Sequence, residues 1–215
     1  MALNSVKLTP MTNITKPETF IFIGPSGCGK GTQAELLITY LKENDPNRGI
    51  FYLETGEKIR SFMSGDKYSN KLSKKLYEDG KLQPEFLAVW VWADILIENL
   101  KGDENLVVDG TPRKLREAKV FDTAIRFYDR KETNVIFINV SRGWSRQRLS
   151  ERGRTDDKIL GDIERRLNWY EKEVVPTIEY FKTDPNYKFY EINGEQSIEE
   201  VHREIIGKVF KENTF

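Results

Sequence analysis

Cysteine and histidine are almost absent from this chain of 215 residues, which contains one of each, Cys28 and His202. A disulfide needs two cysteines, and a structural zinc ion usually takes four Cys or His ligands. We therefore expect no internal disulfide, no structural zinc and no catalysis by a Cys/His pair. Any chemistry must rest on lysine, arginine, carboxylates, hydroxyls and backbone groups.

The chain also lacks a net charge, since 34 Lys+Arg residues balance 34 Asp+Glu residues. Binding nucleic acid through its backbone needs a cationic surplus, so we expect no nucleic-acid partner. Long apolar runs are missing too, both at a membrane-spanning length and, in residues 1–18, at signal-peptide length. These absences predict a protein without membrane association and with a cytoplasmic location.

Five short β-rich runs alternate with helical patterns along the chain, at residues 19–23, 49–53, 106–108, 135–140 and 188–192. This alternation is typical of a parallel sheet with helices on both faces. The length suits one such α/β domain. The segment 84–99 is apolar nearly all round, which predicts a central helix. Short polar helical segments after residue 54 predict a small inserted lobe.

A glycine-rich segment follows the first predicted strand and precedes an amphipathic helix. Its glycines allow successive backbone N–H groups to surround a phosphate, the helix N-terminus adds a positive end, and Lys30 reaches the outer phosphates. The pattern predicts an ATP-binding loop and an α/β fold of the P-loop NTPase type with a five-stranded parallel sheet. The loop residues are Gly24, Pro25, Ser26, Gly27, Cys28, Gly29, Lys30, Gly31 and Thr32. Without a nearby histidine, Cys28 is interpreted as a packing residue.

The third predicted strand ends in Asp109-Gly110-Thr111-Pro112-Arg113. A carboxylate at a strand end beside a phosphate loop suits hydrated Mg²⁺, and an arginine fork matches a phosphate. Asp109 and Thr32 are therefore the candidate metal residues, bound through water. A regulatory GTPase would need an Asn-Lys-x-Asp guanine reader, and the sequence contains none.

These motifs resemble those of the adenylate kinase and nucleoside monophosphate kinase family, over roughly residues 19–210 and in the expected order. The resemblance rests on Gly-Lys-Gly-Thr-Gln at 29–33, Thr-Gly at 55–56, Asp-Gly-Thr-Pro-Arg at 109–113 and Gly-Arg-Thr-Asp-Asp at 153–157. Thr111 replaces the family's aromatic residue. The resemblance implies one kinase domain, with residues 54–84 as the monophosphate-binding lobe and 148–157 as a short lid. It further implies Mg²⁺-dependent transfer of the ATP γ-phosphoryl group to a nucleoside monophosphate.

The resemblance also implies a role for individual residues. Arg60 and Arg113 would hold the acceptor phosphate, and Arg152, Arg154 and Arg166 would close over the transferring group. Arg148 would stack on the donor base, with Asp156 and Asp157 orienting the lid arginines. The acceptor residues would be Thr55, Gly56, Arg60, Gln83, Gly110, Arg113 and Glu117. Helical periodicity itself places Arg166 on the edge of a buried stripe and Arg165 on the opposite face. Because only Gly153 separates Arg152 from Arg154, we hypothesise ATP hydrolysis without acceptor.

Two departures from the family pattern leave open which base the acceptor nucleotide carries. Glu117 stands at the position of the adenine-reading glutamine, and Gln83 stands where the family has an apolar residue. A carboxylate only accepts hydrogen bonds, whereas guanine presents two donors on that edge, so GMP is chemically suitable. AMP remains the first choice. The alternatives are a guanylate or pyrimidine monophosphate kinase and, in another class, a P-loop switch without catalysis.

Overall fold

A parallel sheet of five strands forms the centre of the molecule, in the order β2-β3-β1-β4-β5. The structure is a computed structural model and describes residues 16–79, 81–152 and 160–211. The strands are β1 (Thr19–Ile23), β2 (Ile50–Glu54), β3 (Asn105–Asp109), β4 (Thr133–Asn139) and β5 (Tyr187–Asn193). Each of the five predicted runs overlaps one of them. The predicted α/β class with a parallel sheet is confirmed.

Helices connect the strands and continue past the last one. Those described are α1 (Lys30–Asn44), α2 (Thr55–Met63), α3 (Tyr68–Glu78), α4 (Glu85–Asn99), α5 (Leu115–Phe127), α6 (Arg142–Arg152), α7 (Leu160–Trp169), α8 (Val175–Thr183) and α9 (Ile198–Lys211). A π-helix, Tyr170–Val174, joins α7 to α8. In the part of the chain that the structure describes, no helix combines the length and apolarity needed to cross a bilayer.

The three central strands, β1, β3 and β4, are buried on both faces because they are apolar at most positions. In β1, Phe20 and Phe22 pack against α1 and α9 on one face, while Ile21 and Ile23 pack with α4, α5 and α8 on the other. This is the pattern expected of parallel strands covered by crossover helices. Each face therefore has its own apolar cluster, and the polar ends of the strands are left to form a site.

The prediction of a wholly central helix over 84–99 is wrong in one respect. Leu87, Val91, Trp92 and Leu96 are buried, but Phe86, Trp90 and Ile97 are exposed. Only one side of α4 can face the sheet, so its opposite side is left to solvent and to the inserted lobe. There Trp90 packs on Phe62 of α2.

The inserted lobe consists of α2 and α3, the short polar helices that the composition predicted. Asn70 holds them together, since its amide donates to the Phe62 carbonyl at 2.7 Å and accepts from the Lys67 N–H at 2.9 Å. Both helices follow the carboxyl end of β2. The chain order puts a switch point between β1 and β4, because the connection after β1 runs to β2 on one side and the connection after β3 runs to β4 on the other. Open α/β sheets bind ligands at the carboxyl ends of the strands at such a point.

Candidate active site

The glycine-rich segment lies between β1 and α1 as predicted, and its backbone needs glycine. Gly27 and Gly29 have φ angles of 86° and 95°, a region that residues with side chains rarely adopt. A side chain at Gly24 would place its Cβ 2.6 Å from the Ile138 carbonyl oxygen. The segment thus turns tightly against β4 and directs the N-terminus of α1, with its unpaired N–H groups, toward the cleft.

Lys30 is the first residue of α1 and folds back over the loop. Its ammonium group donates to the carbonyls of Gly24 and Pro25, both at 2.9 Å, and lies 3.6 Å from the Cys28 sulfur. Burial raises the pKa of the Cys28 thiol, so the sulfur is neutral at ordinary pH. This environment agrees with the packing interpretation of Cys28 and leaves Lys30 as the cation of the loop.

The carboxyl end of β3 brings Asp109 next to the first turn of α1. Its Oδ2 would lie 3.4 Å from a Cβ at Gly31, and it accepts a long hydrogen bond of 3.5 Å from the Tyr52 hydroxyl. Thr32 lines the same cleft. A carboxylate and a hydroxyl suit hydrated Mg²⁺, which keeps several of its waters and takes few protein ligands. Among the described residues no cluster of three or more Asp, Glu, His or Cys forms a dry metal site.

Three contacts position Arg113 in the loop after β3. Its Nε donates to the Gly110 carbonyl at 2.8 Å, and its guanidinium carbon lies 5.9 Å from the centre of the Trp169 ring. Its own carbonyl accepts from the buried Thr177 hydroxyl at 2.9 Å. The guanidinium is accessible from the cleft, yet the protein around it removes part of its hydration and lowers the pKa of Arg113. It remains a cation at any physiological pH.

Glu117 is buried and supports this same loop. One carboxylate oxygen accepts from the Thr111 hydroxyl, and the other accepts from the backbone N–H groups of Arg113 at 2.8 Å and Lys114 at 3.4 Å. The residue also lines a small cavity of about 50 Å³ together with Thr55, Ile59, Leu82, Gln83 and Gly110. The position that the family pattern gives to a base reader therefore also serves as the third residue of α5, where it caps the helix.

The other predicted acceptor residues line the lobe side. Arg60 lies 3.5 Å from the Glu54 carboxylate, and Gly56 and Arg60 both face the main cleft. The side-chain amide of Gln83 bonds to Ser73 through both ends, accepting from its hydroxyl at 2.9 Å and donating to its carbonyl at 3.0 Å. Gln83 thereby fastens the segment by which the chain leaves the lobe to α3.

One cleft of about 900 Å³ joins these groups at the carboxyl ends of the strands. Phosphate-loop residues line it on one side and lobe residues on the other. Four predicted arginines face it, from the lobe, the β3 loop, α6 and α7: Arg60, Arg113, Arg148 and Arg166. Arg165 lies on the exposed face of α7, as its helical position predicted.

The model of the adenylate kinase family matches residues 22–186, which is more than half of the chain. The chain belongs to the adenylate kinase family. An adenylate kinase of Flavobacterium psychrophilum is 30% identical over 86% of this chain and 94% of its own length. An adenylate kinase of Corynebacterium urealyticum is 31% identical over 84% and 93%. A uridylate kinase of Saccharomyces cerevisiae is 27% identical over 86% and 87%. The chain is accordingly a nucleoside monophosphate phosphotransferase.

The resemblance to adenylate kinases indicated Arg148 but not the residues that surround it. The Arg148 guanidinium carbon lies 4.9 Å from the centre of the Trp144 ring, one helical turn earlier. Gln33 of α1 and Gln196, Ile198 and Val201 beyond β5 complete this wall. The i, i+4 spacing of Trp144 and Arg148 could have indicated the pair. No sequence signal indicated the residues beyond β5.

Two further arginines of α6, Arg142 and Arg146, bind neighbouring side chains and do not line the cleft. Arg142 donates to Glu171 at 2.6 Å, Glu164 at 2.7 Å and Asn168 at 2.6 Å, and Arg146 donates to Glu164 at 2.5 Å. These bonds lower the pKa of Glu164 to about 2. They tie α6 to α7 and to the π-helix that follows it. Arg154, Asp156, Asp157 and the side chain of Arg152 lie outside the described residues.

Proposed function

We propose that this enzyme transfers the γ-phosphoryl group of ATP reversibly to AMP, giving two ADP, with Mg²⁺ as the cofactor. The observation that carries the proposal is the convergence of Lys30 and four arginines from separate elements on one cleft. ATP and a nucleoside monophosphate together carry about six negative charges near neutrality. A molecule with no net charge that concentrates cations in this way is suited to bind two phosphate chains end to end.

The reaction needs alignment and charge stabilisation rather than a proton acceptor. An oxygen of the acceptor phosphate attacks the γ-phosphorus, and the bond from that phosphorus to the ADP oxygen breaks as the new bond forms. The acceptor oxygen is already ionised, so no general base is required. This requirement fits a chain whose single histidine, His202, lies on α9 and does not line the cleft.

Each group in the cleft has a place in this scheme. Lys30 and the loop N–H groups hold the β and γ phosphates of the donor, and Arg60 and Arg113 hold the acceptor phosphate. Arg166 stabilises the transferring group, as do Arg152 and Arg154 by their family positions. Asp109 and Thr32 would hold hydrated Mg²⁺, which neutralises charge on the β and γ phosphates when bound.

The hydrogen bonds of Glu117 favour AMP over GMP as acceptor. A carboxylate has about four lone-pair sites, and Glu117 already uses three for the Thr111 hydroxyl and two backbone N–H groups. One free site matches the single amine donor of adenine better than the two donors of guanine. The uridylate kinase among the relatives makes a pyrimidine monophosphate the second candidate.

The test is an assay of ATP with AMP, GMP, CMP and UMP, in which the acceptor's own diphosphate is separated by ion-exchange chromatography. We expect AMP to have the highest kcat/KM, and Lys30→Met to lower turnover about a hundredfold or more with an unchanged circular dichroism spectrum. Preference for GMP or UMP would contradict the assignment of AMP. ATP binding without any diphosphate product would identify a switch instead of a kinase.

A further inference from the structure

Glu54 places a carboxylate in the cleft, and the proposed reaction gives this carboxylate no role. It is the last residue of β2, it lines the cleft, and its partner in the adjacent strand is Asp109. It also occupies the N-cap position of α2, but its side chain makes no capping hydrogen bond. Instead its Oε1 lies 3.5 Å from Nη2 of Arg60, the arginine assigned to the acceptor phosphate.

Gly56 provides the space for this ion pair. A Cβ at that position would lie 2.9 Å from Oε1 of Glu54 and 3.0 Å from Nη1 of Arg60. Arg60 is one helical turn after Gly56, and side chains on a helix lean toward its N-terminus. The guanidinium thus lies back across Gly56 toward the carboxylate, and only a glycine leaves that path open.

The pair is weak enough to exchange. The side chain of Arg60 is 56% exposed and that of Glu54 is 33% exposed, and exposed ion pairs of this kind are worth little. A phosphate dianion carries more charge than a carboxylate and accepts both arms of a guanidinium. An incoming acceptor can therefore take Arg60 from Glu54, and breaking the ion pair uses part of its binding free energy.

We propose that Glu54 is a positioning residue that holds Arg60 in the acceptor-free enzyme and weakens the binding of the monophosphate. Arg60 exchanges the Glu54 carboxylate for the acceptor phosphate on binding and returns to it on release. Glu54 thereby sets the KM for the acceptor without taking part in the transfer. This inference rests on the proposed function, because it requires Arg60 to bind the acceptor phosphate.

Glu54→Gln tests the proposal, because it removes the charge and keeps the shape. We expect the KM for AMP to fall about fivefold, with kcat changed less than twofold and the KM for ATP unchanged. Isothermal titration with AMP alone should show the same gain, and the gain should shrink at high ionic strength. The control is Glu98→Gln, an equal change of net charge on the exposed part of α4. An unchanged or higher KM for AMP in Glu54→Gln would overturn the proposal.

A double-mutant cycle separates this inference from the proposed function. Arg60→Ala alone should raise the KM for AMP about tenfold or more, and failure to do so would remove the acceptor role of Arg60. In the Arg60→Ala background, Glu54→Gln should change the KM less than twofold, because Glu54 has no arginine to hold. A fivefold gain that persists there would show direct repulsion of the phosphate and would overturn the exchange.

Discussion

The β3 carboxylate lies against the first turn of α1, beside Gly31. The usual phosphate-loop pattern has a hydroxyl residue directly after the lysine, whereas here Gly31 intervenes and Thr32 follows. A Cβ at Gly31 would lie 3.4 Å from Oδ2 of Asp109, which is an ordinary van der Waals distance. The carboxylate and the displaced hydroxyl of Thr32 line the same cleft, and we propose that they serve the same hydrated ion.

The titration of His202 should alter stability just below neutral pH. Burial lowers the pKa of this imidazole in the folded chain, and within the described residues no hydrogen bond reaches its Nδ1. An unfolded histidine has a pKa of about 6.5. The unfolded state therefore binds more protons as the pH falls through 6.5 toward the folded value, and the free energy of unfolding decreases across that window.

The prediction is measured by urea unfolding of the wild type and His202→Gln at pH 7.5 and pH 5.5. The wild type should lose more free energy of unfolding than the variant on acidification, because only the wild type carries the buried imidazole. Equal losses in the two proteins would show that the carboxylates alone determine the acid sensitivity.

At the scale of elements, Glu117 stabilises the first turn of α5 and the loop that precedes it. Position 117 is four residues after Arg113, where the family resemblance puts the reader of the acceptor base, and it is also the third residue of the helix. The carboxylate bonds to the N–H groups of Arg113 and Lys114. The start of α5 and the loop that holds Arg113 are thus stabilised by the same buried group.

Glu117→Ala should lower the free energy of unfolding by about 1–3 kcal/mol, because it leaves two N–H groups and the Thr111 hydroxyl without an acceptor. Urea unfolding measures the change. The matched control is Arg116→Ala, the exposed neighbour on α5, which should change the free energy of unfolding by less than about 0.5 kcal/mol. A similarly small effect of Glu117→Ala would mean that this carboxylate does not support the loop.

At the scale of the whole molecule, sequence periodicity and motif spacing were enough to predict the strands of the sheet and the residues on the phosphate-loop side of the cleft. Apolar runs located the strands, and the order of motifs placed Lys30, Asp109 and Arg113 at strand ends that a parallel sheet must bring together. The exposed side of α4 was missed because composition alone does not tell which residues of an apolar helix face the core.

The sequence could not indicate contacts between segments that are far apart along the chain. Ile198 faces the phosphate loop only because β5 lies beside β4 and α9 returns across α1. The pairing of Arg142 with Glu171 requires α6 to pack against α7 and the π-helix that follows it. The π-helix at Tyr170–Val174 also has no evident cause in the residue pattern, yet it precedes the turn of α8 from which Thr177 supports the Arg113 loop.

The two indole–guanidinium contacts give the molecule separate optical reporters for its two substrates. Trp169 lies under Arg113, which we propose holds the acceptor phosphate, and Trp144 lies under Arg148, which we propose stacks on the donor base. Since a phosphate or base that engages an arginine changes the charge above its indole, AMP should alter the emission of Trp169 and ATP that of Trp144. Trp169→Phe should therefore abolish the fluorescence change caused by AMP and retain the one caused by ATP, and Trp144→Phe should do the reverse. Loss of both responses in either variant would contradict this separation; if it holds, the intrinsic fluorescence of the unlabelled enzyme can follow the order in which its substrates arrive.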